Sequence, residues 1–165
     1  MPLPEIFHGR LAVPAIAAPM FLISHPELVI AECKAGVVGS FPSLNARPSG
    51  TLEQWLLRLR RELTNADAPF AVNLIVHKTN TRLEEDLALC VKYQVPVVIT
   101  SLGARPDVNE AIHAYGGIVF HDVIDNSFAR KAVERGADGL VAVATGAGGH
   151  AGTLSPFALV QEIRE

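Results

Sequence analysis

The sequence has 165 residues, of which 49% are hydrophobic and 19% charged, a balance typical of one globular domain with a sizeable core. Its 14 basic and 17 acidic residues give a formal net charge of −3, which disfavours nucleic acid or an anionic membrane surface and favours a small-molecule partner. We expect a cytoplasmic protein, because neither a signal peptide nor an apolar run near about 18 residues is present.

Six short apolar runs, rich in β-branched residues, recur along the chain and predict buried strands. They are VPAIAAP from Val13, VVGSF from Val37, FAVNLIV from Phe70, VPVVIT from Val95, GIVFHDV from Gly117 and GLVAVAT from Gly139. The segments between them carry apolar residues at helical spacing. The chain therefore predicts six successive strand–helix units.

Local sequence marks where these helices begin and end. Residues 24–27 (SHPE), 51–54 (TLEQ) and 81–84 (TRLE) have the form of a capping box, and Ser155 before Pro156 predicts one more helix start. Helix ends are predicted at Gly36, Gly116 and Gly136. Cys33 and Cys90 fall in predicted helices without metal-ligand spacing, so we expect two reduced, packed thiols and no metal site.

Strands that alternate with helices predict a parallel sheet covered by helices. Periodicity alone leaves two architectures open, an open doubly wound sheet and a (β/α)₈ barrel. The one looser region is the segment 42–50 (PSLNARPSG), a long loop after the second predicted strand.

The glycine-rich segment 143–156 (VATGAGGHAGTLSP) follows the sixth predicted strand and has three interpretations. Gly146, Gly148 and Ala151 match a loose dinucleotide fingerprint, although that motif belongs in a first strand–helix unit. In the second interpretation the glycines admit a flat ligand to the backbone, and His150 projects into the cavity as a proton exchanger. The third is a plain loop with an exposed histidine.

Other polar or distinctive residues fall at predicted strand ends and are expected to meet at one mouth. Asn73 lies inside an apolar strand, so its amide needs a partner, either backbone or ligand. Met20 either packs in the core or lines a planar ligand. His121 and Asp122 are neighbours on a strand, so at most one of them faces the mouth.

Taken together, APM at 18–20, VVGSFPSLNARP, FAVNLIVHK, PVVITSLGA, YGGIVFHDV, KAVERGADGLVAV and GAGGHAG resemble the nitronate monooxygenase family, formerly called 2-nitropropane dioxygenases. The most specific element is the order of APM, VNL and GGHAG after the first, in the third and after the sixth predicted strand. The resemblance implies an α/β fold of the TIM-type (β/α)₈ barrel class, of which residues 1–165 supply about the first six units as one domain.

The resemblance also implies noncovalent FMN at the carboxyl mouth of the barrel and oxidation of an alkyl nitronate by O₂ to a carbonyl compound and nitrite. His150 would be the catalytic base or anion stabiliser. The residues implied to contact FMN are Ala18, Pro19, Met20, Asn73, Gly148 and Gly149. A nitronate or nitroalkane and O₂ would be the small-molecule partners, and a homo-oligomer is compatible with the sequence.

Two departures from the family pattern stand out. Some relatives carry a lysine as a flavin contact where this sequence has Asp122. The family also binds the FMN phosphate through glycine-rich turns after its seventh and eighth strands, so we expect that site beyond Glu165 and a chain truncated before those strands. Two rival functions remain: an FMN-dependent enoyl-ACP reductase with a similar glycine loop, and a non-catalytic half-barrel scaffold.

Overall fold

The apolar runs form five parallel strands, which are hydrogen-bonded to one another in chain order. The structure is a computed structural model, and it describes residues 3–48, 50–149 and 152–165. The strands are β1 (Ser40–Pro42), β2 (Ala71–Ile75), β3 (Val97–Ser101), β4 (Ile118–Val123) and β5 (Gly139–Ala142).

Six α-helices alternate with these strands in the described residues. They are α1 (Pro26–Lys34), α2 (Thr51–Glu62), α3 (Leu83–Lys92), α4 (Pro106–His113), α5 (Asn126–Glu134) and α6 (Pro156–Arg164). Two short 3₁₀ helices, Glu5–Phe7 and Ser43–Asn45, precede α1 and follow β1. Among the described helices, none has the length and apolar content needed to cross a bilayer.

Strand order decides between the two architectures. The register runs through the sheet without reversal: Ser40 pairs with Ala71, Ala71 with Val97, and Val97 with Ile118. A doubly wound sheet reverses its order at a switch point, whereas a barrel adds each strand beside the preceding one. The sheet is therefore part of a (β/α) barrel, which confirms the expected fold class.

The main core lies between the sheet and the helices, where apolar strand residues meet the apolar helix stripes. Phe41, Val72, Leu74 and Val98 pack there. A smaller cluster lies on the face of the sheet turned away from the helices, which we call the inner face. Phe7 packs there against Val38, Ala71, Val97 and Ile99.

The first predicted strand was wrong in extent. Its only strand pairing among the described residues is one parallel bridge between Ile16 and Val38, in which Ala17 donates to the Val38 carbonyl at 2.8 Å. Pro14 and Pro19 flank the bridge and have no N–H to donate, so a longer ladder cannot form around it.

The predicted helix ends are confirmed, but the predicted capping boxes are wrong. Gly36, Gly116 and Gly136 follow helices with positive φ, as expected. No side-chain cap forms at α1, α2 or α3. The Ser24 hydroxyl accepts from the Met20 N–H instead, and Asn80 rather than Thr81 takes the Arg82 N–H.

Candidate functional site

All five strands point the same way, so their carboxyl ends meet at one edge of the sheet, which we call the mouth. The opposite end of the inner face is covered by Phe7 from the first 3₁₀ helix. Its ring stacks on Phe120, with centroids 6.3 Å apart and planes 5° from parallel. A ligand of the inner face therefore approaches from the mouth.

Strand β4 shows which side chains face the mouth. Val119 and Val123 pack in the helix-facing clusters. His121 points to the same side of the strand as these two residues and is 1% exposed. Its Nε2 lies 3.2 Å from Oδ1 of Asn109 on α4. Alternation then assigns Asp122, with Phe120, to the inner face. Of the two neighbours, Asp122 is thus the one turned toward the mouth.

Burial changes the chemistry of His121. Its removal from water lowers the pKa of the imidazole, because the charged form is penalised. Asn109 in turn donates to the Arg135 carbonyl at 2.8 Å, so the pair is a hydrogen-bonded link between sheet and helices. His121 is consequently a structural histidine in this fold.

Asn73 is the central polar residue of the inner face. It is 6% exposed, and its Nδ2 donates to the Ile99 carbonyl at 3.0 Å and to the Ser101 hydroxyl at 2.8 Å. Both amide hydrogens are thereby used within the sheet, while no described residue donates to Oδ1. The side chain therefore offers a fixed acceptor to a ligand N–H.

The segment Ala18, Pro19 and Met20 reaches the same edge beside β1, and its backbone is held in place. Ser24 accepts from the Met20 N–H at 3.0 Å. The Ser40 hydroxyl donates to the Ala17 carbonyl just before the segment. Met20 itself is 42% exposed, so of its two predicted roles core packing is wrong.

Asn45 ends the stretch 40–45 (SFPSLN), which the sequence places at a strand end near the mouth, but the sequence analysis assigned it no role. It is 7% exposed, donates through Nδ2 to the carbonyls of Met20 and Ser24, each at 3.0 Å, and accepts from the Leu22 N–H at 3.0 Å. It fixes a loop whose next three side chains, from Phe21 to Ile23, form an exposed apolar rim. Its position in the loop 42–50 was visible in the sequence. Its hydrogen-bond partners, 21 to 25 residues earlier in the chain, were not.

The two ends of the glycine loop after β5 are held together by a backbone hydrogen bond. Thr145 donates to the Leu154 carbonyl at 2.8 Å, and a Cβ at Gly152 would meet the Val143 carbonyl oxygen at 2.2 Å. Farther out, a Cβ at Gly148 or Gly149 would have no neighbour within 4 Å, and Gly149 has φ of 75°. Open space beside a bare backbone fits the approach of a flat ring.

His150, the predicted catalytic residue, lies outside the described residues, and so does Ala151. Of the predicted flavin contacts, Asn73 lies within β2, Gly148 and Gly149 follow β5, and Ala18, Pro19 and Met20 follow the single bridge at Ile16. Their contact with a flavin stays a prediction.

The two cysteines do not contribute a nucleophile to this edge. Both are free and buried, as predicted. Burial raises the pKa of Cys33 to about 11 and raises the pKa of Cys90 as well. Both side chains therefore remain thiols near neutral pH.

Comparison with known proteins gives structural neighbours only. No protein-family profile and no curated protein matches the chain. Among solved structures, FabK from Thermotoga maritima is 26% identical with a TM-score of 0.83, over 96% of this chain and 49% of that one. Nitroalkane oxidase from Streptomyces ansochromogenes is 21% identical with a TM-score of 0.84, over 97% and 57%.

A mandelate oxidase variant carrying a C4a-OH-FMN adduct is 19% identical with a TM-score of 0.67, over 98% of this chain and 57% of that one. This chain thus spans about half the length of the solved structures that it matches. The similarity shows the (β/α)-barrel fold, of which this chain supplies a part.

Proposed function

We propose that this chain supplies the flavin-facing half of an FMN-dependent oxidoreductase that converts alkyl nitronates and O₂ to carbonyl compounds and nitrite. The observation that carries the proposal is Asn73. Both N–H groups of this buried amide are bonded within the sheet, and no described residue donates to its oxygen. A flavin ring carries an N–H that such an acceptor matches.

The remaining residues of the mouth are compatible with a flat ring. Gly148 and Gly149 leave open space beside their backbone, and the backbone from Ala18 to Met20 is held by Ser24 and Asn45. FMN, when bound, supplies the electron transfer. The neighbouring nitroalkane oxidase and the FMN adduct of the mandelate oxidase variant support this assignment.

The chain's own role is to bind, orient and move a proton. The fixed amide of Asn73 would orient the ring, and the fixed segment before Met20 would set its plane. His150 would remove the α-proton of a neutral nitroalkane, or hydrogen-bond a nitronate that is already anionic.

The first test is flavin binding and product formation. Purified protein saturated with FMN should release nitrite from a preformed nitronate in air without a nicotinamide. Failure to take up FMN, monitored by flavin absorbance and fluorescence, would contradict the proposal at its base.

The second test concerns His150. Replacing it by Asn should keep FMN bound but slow the reaction of neutral nitroalkane by about 10²- to 10⁴-fold, the usual contribution of a positioned base. Preformed nitronate should be affected much less. His77→Asn is a matched control, because His77 is an exposed histidine in the loop after β2. Equal losses on both substrates would make His150 an anion stabiliser.

An FMN-dependent enoyl-ACP reductase is the alternative, because its resemblance extends to the same glycine loop. Rapid flavin reduction by NAD(P)H, with an enoyl thioester as acceptor and no nitrite from nitronates, would favour it. A protein that binds no flavin would instead favour the non-catalytic scaffold.

A further inference from the structure

A groove of about 500 Å³ lies at the rim of the mouth, between the loop after β1 and the loop after β2. Arg47 and Leu44 line it from the first loop, and Asn80, Thr81 and Arg82 from the second. The proposed chemistry at Asn73 uses none of these side chains.

Both arginines of the groove donate to backbone carbonyls, Arg82 from a half-buried position and Arg47 from an exposed one. Arg82 donates through Nη1 to the Ala46 carbonyl at 2.9 Å and so ties the second loop to the first. Arg47 donates through Nε to the Leu44 carbonyl at 2.8 Å, and its guanidinium lies 5.3 Å from the centroid of the Phe21 ring. Their positions are therefore preorganised for a ligand.

The charge of the groove is positive. Asp86 bonds to Arg82 at 2.9 Å, and Glu84 pairs with Arg105 at 2.9 Å, away from the groove lining. Among the described residues, no carboxylate lies within 4 Å of the Arg47 guanidinium. One positive charge is thus left without a carboxylate partner in the wall.

The groove is connected to the proposed reaction site through β2. Ile75 is part of its lining and lies two residues after Asn73 on the same face of the strand. Two residues of a strand span about 7 Å. A ligand anchored in the groove can therefore extend to the mouth.

We propose that this groove binds the phosphate group of a ligand whose other end reaches the mouth. Planar, fixed guanidinium groups match phosphate oxygens, and the hydroxyl of Thr81 adds a neutral donor. The anion binding stands without a flavin, whereas its role as a substrate subsite rests on the proposed function.

Inorganic pyrophosphate is a direct probe, used with purified protein both with and without added FMN. Calorimetry should show binding that weakens with ionic strength. Arg47→Met should raise the Kd by about tenfold, since hydrogen bonds to charged groups are the strong ones. Arg61→Met removes the same charge from an exposed position on α2 and should leave the Kd unchanged. The melting temperature of each variant checks that it folds.

Three results would overturn the proposal. These are no pyrophosphate binding by the unaltered protein, equal weakening in Arg47→Met and Arg61→Met, and competition between pyrophosphate and FMN. The last result would assign the groove to the phosphate of FMN itself. None of these measurements depends on turnover, so failure here is distinct from failure of the nitronate reaction.

Discussion

The two faces of one sheet differ in what their side chains do. On the helix-facing side, Leu74 and Val98 are fully buried in a continuous apolar core. On the inner face, at the alternate positions of the same two strands, Asn73 and Ser101 form a hydrogen-bonded pair near the mouth. Alternate residues of one barrel strand thus have different surroundings: one set packs in the apolar core, and the other carries polar side chains near the mouth.

Removing core volume should have the largest effect on folding. Leu74→Ala on the helix-facing side should lower the free energy of unfolding by about 2–5 kcal/mol, because it deletes buried methyl groups and leaves a cavity. Urea denaturation without added FMN measures this. Leu57→Ala, at a position on α2 that is 52% exposed, is the control. A loss below about 1 kcal/mol for Leu74→Ala would mean that the helix-facing side does not carry the stabilising core.

The loop at the mouth should be less costly to disturb than the core. Asn45→Ala removes partners from the Met20 and Ser24 carbonyls and from the Leu22 N–H, at a cost of about 1–3 kcal/mol, since water can replace part of what is lost. Faster amide exchange at Leu22 should accompany it. Asn65→Ala, in an exposed turn, should change neither quantity; unchanged exchange at Leu22 would show that Asn45 does not hold the loop.

His121 gives the helix-facing side a pH dependence. Its pKa is lowered in the fold by burial, so the unfolded chain binds the proton more tightly. Stability is complete above the unfolded pKa of about 6.5 and falls as the pH drops from there toward the folded pKa, by about 1.4 kcal/mol per unit of pKa difference.

The substitution His121→Gln keeps a donor for Asn109 and should remove this slope in urea titrations between pH 7 and pH 5, in the range set by the unfolded pKa of about 6.5. His8→Gln, at an exposed position, is the control and should keep the slope. An unchanged slope in His121→Gln would place the titrating group elsewhere.

Much of this arrangement follows from local sequence. Apolar runs located β2 to β5, and the helix-stopping glycines Gly116 and Gly136 marked where β4 and β5 begin, because a strand and a helix stop are both decided within a few residues. Asn73 was identified as a polar residue in an apolar strand, which needs no tertiary information. The sequential strand order was not derivable from periodicity, and the family resemblance supplied it.

The rest depended on contacts far apart in the chain. Asn45 bonds to residues 21 to 25 positions earlier, and no local pattern encodes such partners. The hydroxyl of Ser24 has the form of a helix cap, yet a loop N–H competes for it successfully. For His121 and Asp122 alternation established that the two face opposite ways, but only packing against α4 shows which one turns inward.

A substitution at Ser101, on the inner face, should have the smallest effect, a change in FMN affinity. Ser101→Ala removes the acceptor for one N–H of Asn73, so the amide should lose its fixed orientation and FMN should bind about two- to fivefold more weakly, near the low end for one neutral hydrogen bond. Fluorescence titration with FMN measures this, and Ser101→Thr should restore the affinity because it keeps the hydroxyl. Thr100→Val deletes a hydroxyl from the adjacent residue on the opposite face and should leave FMN affinity unchanged. Equal effects at the two positions would mean that the hydroxyls act through general stability, and that Asn73 is not the flavin's fixed acceptor.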